Sequence, residues 1–354
     1  KTLKIAGIVL LALLLVVLAY VVYVFLSYHR IEDNLSLTPE GSASASVRTD
    51  IPYTVVSYNI GFGAYESDYS FFMDGGTESW AWSKERLDAN LANIAQVLQK
   101  QNADFYFVQE VDAGSTRSYH RDESALLRQA LPNFSSVWGQ NYDSPFLFWP
   151  LTQPHGSSVS GLMTFSTAPI SSSLRRSLPI EQGVMKLVDL DRCYTVSRVP
   201  MENGKELVLY AVHLSAYTSD GTIALDQMEM LLSDMQSEYE KGNYCVCGGD
   251  FNKDVLGNSE EVFGVSAGEY TWAQPLPESL FQGKDLTLVP PLDKENPVAS
   301  CRNADAPYHD GQYLVTVDGF LVSNNVSVSA ATVIDTGFAY SDHNPVSMTF
   351  TLLP

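Results

Sequence analysis

Gly248-Gly249-Asp250-Phe251-Asn252 sets a carboxylate and an amide two residues apart at the end of an apolar run. Ser341-Asp342-His343-Asn344-Pro345 sets a carboxylate beside an imidazole just before another such run. A carboxylate at 250 suits orienting or deprotonating a water, and the Asn252 amide can donate to a phosphoryl oxygen without adding charge. Neighbouring residues on an extended chain face opposite ways, so Asp342 and His343 are expected to serve different partners, one a metal and the other a substrate. Asp318 lies within the apolar run 315–322 and needs a partner, because an unpaired buried charge is costly. His343 is the natural one: a buried Asp318 would fix its tautomer and lift its pKa above the usual value of about 6.5. Taken singly, each motif reads better as an Asx turn or a capped loop.

Asp250, Asn252, Asp254 and Glu261 also stand at positions 1, 3, 5 and 12 of a calcium loop, but Val255 occupies position 6, where the sharp turn calls for glycine. The four cysteines, Cys193, Cys245, Cys247 and Cys301, are too scattered for a disulfide framework. Cys245 and Cys247 would share one face of a strand as buried thiols, and no Cys or His pair at matching spacing makes them a metal site.

Four apolar runs end in a polar residue: 53–58 at Asn59, 105–109 at Glu110, 207–212 at His213 and 244–249 at Asp250. Buried strands read this way, and their ends can converge on one rim. Ser83 is set to cap a helix carrying Leu87, Leu91, Ile94 and Leu98 on one face, and residues 223–240 repeat the pattern with Leu225, Met228, Leu232 and Met235. Residues 314–352 read as strand, loop, strand. The sum is an α/β layering with a mixed sheet or two packed sheets.

The ordered set Ser57-Tyr58-Asn59-Ile60, Gln109-Glu110, His213-Leu214, Gly249-Asp250-Phe251-Asn252, Val317-Asp318-Gly319-Phe320 and Ser341-Asp342-His343 resembles the endonuclease/exonuclease/phosphatase superfamily over residues 53–352. The resemblance implies a four-layer α/β sandwich, two packed mixed sheets flanked by helices. It implies Glu110 as the principal Mg²⁺ or Mn²⁺ ligand, with Asn59 and Asp342 completing an oxygen-rich shell, directly or through water. It also implies Asp250 as the residue acting on the attacking water, Asn252, His213 and His343 on the phosphoryl oxygens, and Asp318 holding His343. Either His213 or a metal-bound water can protonate the leaving oxygen. Arg302 and Asn303 are candidates to reach a substrate, as is His155 beside Phe146, Phe148 and Trp149, because a guanidinium fork suits phosphate and aromatics suit lipid or core equally.

Residues 5–26 form an apolar run without a charge, long enough to cross a hydrocarbon core of about 30 Å. A cleaved signal would have an apolar region of only about 7–15 residues, so the run reads as one transmembrane helix, with 1–4 as a short inside segment. Lys1 and Lys4 before it, and Glu32 and Asp33 after it, favour a single-pass anchor with the catalytic domain, 53–354, outside the cell membrane. The polar stretch 27–52, with its Ser/Ala run, reads as a flexible tether.

The chain of 354 residues is 45% hydrophobic, ample for a large core. Its net charge of −20 disfavours nucleic acid without excluding it, and leaves a lipid headgroup or small phosphate ester ahead of an extracellular nuclease. No obligate protein partner is called for. A membrane-anchored binding module that has lost catalysis is the competing class, and the retained acidic and histidine set argues against it. Asn-x-Ser sequons begin at Asn34, Asn133 and Asn325.

Overall fold

The structure is a computed structural model that describes residues 2–181, 183, 186, 191–216, 222–268, 270 and 272–354. In chain order it runs α1 (Thr2–Ser27), β1 (Leu35–Leu37), β2 (Glu40–Gly41), β3 (Pro52–Asn59), α2 (Lys84–Gln101), β4 (Phe105–Asp112), α3 (Glu123–Ala130), β5 (Ser135–Leu147) and β6 (Gly156–Ser166). It continues with β7 (Ser172–Ser177), β8 (Cys193–Pro200), β9 (Glu206–His213), α4 (Thr222–Glu240), β10 (Tyr244–Asp250), α5 (Ser259–Phe263) and β11 (Leu286–Val289). The last strands are β12 (Cys301–Arg302), β13 (Leu314–Val315), β14 (Asp318–Ser323), β15 (Val326–Val333) and β16 (Val346–Leu352).

Two seven-stranded mixed sheets result, ordered β1-β7-β8-β9-β10-β14-β11 and β15-β16-β3-β4-β6-β5-β2. The period-2 geometry of a strand sorts alternate residues into separate layers. Val55, Phe105 and Phe107 meet Leu209, Val246 and Phe320 between the sheets. Val56, Tyr106 and Val108 instead turn outward onto Leu87, Leu91, Ile94 and Leu98 of α2. On the other side Val208, Tyr210, Cys245 and Cys247 pack under Met228, Leu231, Leu232 and Met235 of α4. This is the expected four-layer sandwich, preceded by one long apolar helix. The Ser83 side chain caps α2 by accepting from the Arg86 N–H, and all four cysteines are free, buried thiols.

Three expectations need revision. Leu225 packs only half-buried against the core, while Ala224, Gln227 and Leu231 join the buried face of α4. The end of the chain holds a strand, β15, that pairs with β16 and makes β16 an interior strand. The stretch 27–52, expected as a free tether, is instead fastened along both sheets. β1 pairs with β7 and β2 with β5, Arg30 bonds Asp191 at 2.7 Å, and Asp33 accepts from the Ser177 N–H at 2.8 Å.

Candidate active site

Register alone brings three candidate side chains abreast. Asp250 pairs with His213 across the parallel β9–β10 ladder and with Asp318 across the antiparallel β10–β14 ladder. Two glycines make that close approach feasible. A Cβ at Gly248 would meet the Phe107 ring at 2.7 Å, and one at Gly249, whose φ is +155°, would meet the Val212 carbonyl oxygen at 2.0 Å.

From the second sheet, β3 ends at Asn59 beside Gln109 of β4, and the ladder between β4 and β6 shifts register between Val108 and Val111. Glu110 sits in that irregularity with φ 56°, a left-handed backbone that turns its side chain toward the site. Asn252 has φ 50°. Such conformations in non-glycine residues cost about 1–3 kcal/mol each and gather at functional sites.

The two sheets meet at Asp250. Its Oδ1 accepts from the Asn252 N–H at 2.8 Å, and its Oδ2 accepts from Asn59 Nδ2 at 3.1 Å. The same Oδ2 lies 3.5 Å from His213 Nε2 and 3.7 Å from His343 Nε2. Those two separations exceed a good N–H···O bond, so the imidazoles converge on the carboxylate without being consumed by it.

Asp318 holds His343 as expected, its Oδ2 lying 2.7 Å from Nδ1, while Asp342 makes no dyad with its neighbour. Burial alone would lower the pKa of His343, but Asp318, with help from Cys301 and Asp342, outweighs it and holds the group well above its usual range. Among the described residues, His213 has no carboxylate nearer than Asp250 at 3.5 Å. Burial, reinforced by the positive charges of Arg192 and His343, depresses it well below the usual range, and its Nδ1 has no hydrogen-bond partner among the described residues. The two imidazoles are thus pushed in opposite directions, His343 toward its charged form and His213 toward its neutral one. Burial raises the Asp250 carboxyl to about 7, with Asp318 adding and His343 opposing.

Ser300 and Cys301 contribute without a signal in the sequence, and Ser341 contributes from within its motif. Ser300 Oγ donates to Asp318 Oδ2 at 2.7 Å and accepts from the N–H groups of Val317 and Asp318. Cys301 Sγ lies 3.6 Å from His343 Nε2, and Ser341 Oγ donates to the Asn59 carbonyl at 2.8 Å, tying the 341–343 turn to β3. Nothing about a lone Ser or Cys at these positions distinguishes it from a loop residue.

Of the three side chains expected to reach a substrate, Arg302 and His155 are engaged elsewhere. Arg302 is buried and donates to the carbonyls of Asn303, Ala306, Glu66 and Tyr69, because a five-donor fork can fasten several loop carbonyls at once. Asn303 is buried in the same loop, its carbonyl accepting from Arg302 and Gln312. His155 bonds the Ser79 carbonyl and Ser158 Oγ under Phe71 and Phe72, and burial lowers its pKa to about 4.

Asn59 also departs from its expected part. Its Oδ1 accepts from the Gly61 N–H at 3.0 Å, while its Nδ2 donates to Glu110 Oε1 and Asp250 Oδ2, both at 3.1 Å. In this orientation Asn59 bridges the two acids as a donor, with its oxygen turned to Gly61.

The donor set nevertheless fits a hard divalent cation. Glu110, Asp250, Asp318 and Asp342 gather around one centre, and Glu110 is close enough that its charge helps burial raise the Asp342 carboxyl. The positive charges of His343 and Arg302 oppose that rise at Asp342. Two places compete for the metal. Asp250, Asp318 and His343 have ligand atoms within 4.8 Å of one another. A metal on His343 would face an imidazole held cationic by its bond to Asp318, whereas Glu110 and Asp342 offer carboxylate oxygens not committed to a cationic partner. The second pair suits the cation better.

A model of the Endonuclease/Exonuclease/phosphatase family matches residues 56–343, and the chain belongs to that family of phosphoester-hydrolysing enzymes. Among solved structures, an endonuclease/exonuclease/phosphatase from Beutenbergia cavernae DSM 12333 is similar at 17% identity and a TM-score of 0.56, over 86% of this chain and 72% of that one. ANGEL2, a 2′,3′-cyclic phosphatase, is similar at 16% identity and a TM-score of 0.55, over 89% and 98%. The human Nocturnin catalytic domain is similar at 18% identity and a TM-score of 0.54, over 89% and 97%. These likenesses are of fold. A search of curated protein sequences gave no match.

Proposed function

We propose that this chain hydrolyses a phosphodiester or phosphomonoester by metal-assisted attack of water, while held at the outer face of a cell membrane by α1. The observation that carries this is the convergence of Asn59, His213 and His343 on Asp250 Oδ2. A carboxyl raised to about 7 and flanked by one imidazole pushed toward its charged form and another toward its neutral form suits deprotonating a water beside a phosphoryl group.

Glu110 and Asp342 would hold Mg²⁺ or Mn²⁺, which when bound offsets phosphate charge and polarises the ester. Asp250 orients the water and accepts its proton. His343, kept cationic by Asp318, donates to a phosphoryl oxygen as charge builds there, and His213 donates through whichever ring nitrogen carries its proton. Asn252 fastens the loop by giving one amide N–H to the Leu214 carbonyl at 2.7 Å, which leaves its other N–H for phosphate. Asn59 keeps Glu110 and Asp250 apart by donating to both.

α1 is long and apolar enough to cross a membrane, with a mean hydropathy of 3.1 in its most apolar window. That supports a lipid headgroup or small phosphate ester as substrate, and the acidic balance ranks nucleic acid behind them. The test is a panel of phospholipids, inositol phosphates, nucleotides including 2′,3′-cyclic ones, and DNA, each with Mg²⁺, Mn²⁺ or chelator. Cleavage that requires metal supports the reading. No cleavage of any member hands the fold to the binding-module class.

A further inference from the structure

The β5–β6 hairpin is the largest unexplained feature. Between Asp143 and Arg175 the chain has no Asp, Glu, Lys or Arg, in a protein that is 18% charged. At the hairpin tip Phe148, Trp149 and Leu151 are 51%, 65% and 76% exposed, an apolar cluster of the kind that soluble surfaces avoid.

The tip lies against α1. Tyr20 Oη donates to the Phe146 carbonyl at 3.1 Å, the Phe146 N–H donates to Tyr23 Oη at 3.1 Å, and the Tyr20 and Phe148 rings meet edge-on with centroids 4.8 Å apart. Tyr20 is seven residues before the end of α1 at Ser27, or about 10 Å along the helix axis. If the bilayer surface lies near that end of α1, Phe148 stands about 10 Å inside it, the depth at which interfacial apolar segments and aromatic belts reside. Tyr20 and Tyr23 are themselves residues typical of that belt.

The hairpin also fixes orientation. Asp112, two residues beyond Glu110, pairs with Ser160 of β6, and the β5–β6 ladder continues from there to Leu147 against Gly156. Four further residues of β6 carry the tip about 13 Å past the Glu110 end of the sheet. The end of the sandwich that bears the site is therefore also the end that bears the apolar tip.

We propose that the β5–β6 tip inserts into the phospholipid interface beside α1, as a second membrane contact that turns the site toward the lipid headgroups. This rests on α1 spanning the bilayer. It deepens the proposed function by favouring a phosphoester presented at the membrane surface. With no charged residue in the tip, insertion needs no anionic lipid and is insensitive to salt.

The test uses the full chain in phosphatidylcholine nanodiscs. Because the native thiols are all buried, a single engineered cysteine takes the label. Leu151→Cys, Leu14→Cys within α1, and Ser329→Cys on exposed β15 each receive an environment-sensitive fluorophore, and doxyl-labelled phosphatidylcholine is the quencher. The expected result is quenching at 151 and 14 but not at 329, unchanged by high salt. Quenching at 14 with 151 behaving like 329 overturns the insertion and leaves the span intact. No quenching at 14 removes the span itself, and the insertion with it. A label-free check uses brominated phosphatidylcholine: quenching of intrinsic tryptophan fluorescence should fall in Trp149→Phe, and unchanged quenching counts against insertion.

Discussion

Replacing Asp318 by Asn probes the residue that keeps His343 cationic. The substitution preserves shape, and an amide oxygen can still accept from His343 Nδ1 and from Ser300 Oγ, both of which stand 2.7 Å from Asp318 Oδ2. What disappears is the charge. A hydrogen bond to a charged group contributes about 1.5–3 kcal/mol against about 0.5–1.5 kcal/mol for a neutral one. Burial, otherwise opposed by Asp318, then drives His343 toward its neutral form. If His343 donates to the phosphoryl oxygen in the transition state, losing that charged bond, about 1.5–3 kcal/mol, lowers kcat roughly 13- to 160-fold with little change in KM. Steady-state hydrolysis of a chromogenic phosphodiester with saturating Mg²⁺ or Mn²⁺ reads the effect, and circular dichroism with thermal melting checks the fold. Ser300→Ala removes a bond to the Asp318 carboxylate but keeps the charge and the Asp318–His343 pair, so kcat should fall by no more than about tenfold. A folded Asp318→Asn enzyme with kcat within about threefold of wild type would refute a cationic role for His343.

Glu110→Gln should raise the metal concentration for half-maximal activity by at least about tenfold, read by metal titration of turnover. Gly249→Ala forces a Cβ against the Val212 carbonyl at a positive φ, so unfolding in denaturant should show about 2–4 kcal/mol lost and Asp250 displaced with it. Glu238 lies buried among Arg198, Lys241 and Asn243, which overcome the effect of burial and pull its carboxyl down to about 2. Its pKa is depressed on folding, so its contribution is complete above about pH 4.5 and is lost as pH falls toward 2. Wild type should therefore lose roughly 1–2 kcal/mol more than Glu238→Gln between pH 6 and pH 3, measured by denaturation at each pH.

The strands that build the site were legible because they are buried on both faces. Runs such as 105–109 and 244–249 have no polar alternation to confuse them, and their polar ends stand out. β15 was only half legible: Val326-Ser327-Val328-Ser329 alternates, but the irregularity between Val328 and Ala330 and the small Ala330 and Ala331 break the period. The stretch 27–52 carries a linker's composition, yet backbone pairing to sheet edges ignores side-chain type, and β1 and β2 are made that way. Arg302 and His155 show the same limit. A sequence reveals that a guanidinium or imidazole is present, but only the fold reveals that loop carbonyls and serines already occupy it. Asn59 stands where the ordered motifs put it, and only its bond from the Gly61 N–H fixes which end of the amide faces the acids.

The most direct measurement is hydrolysis of bis(p-nitrophenyl) phosphate and p-nitrophenyl phosphate by the full chain and by Asp250→Asn, each with Mg²⁺, Mn²⁺ or chelator. Turnover by wild type with either metal, its loss in chelator and its loss in a folded Asp250→Asn protein are the predicted results. Equal turnover with and without metal, or by the Asp250→Asn protein, would contradict a metal-assisted reaction centred on Asp250.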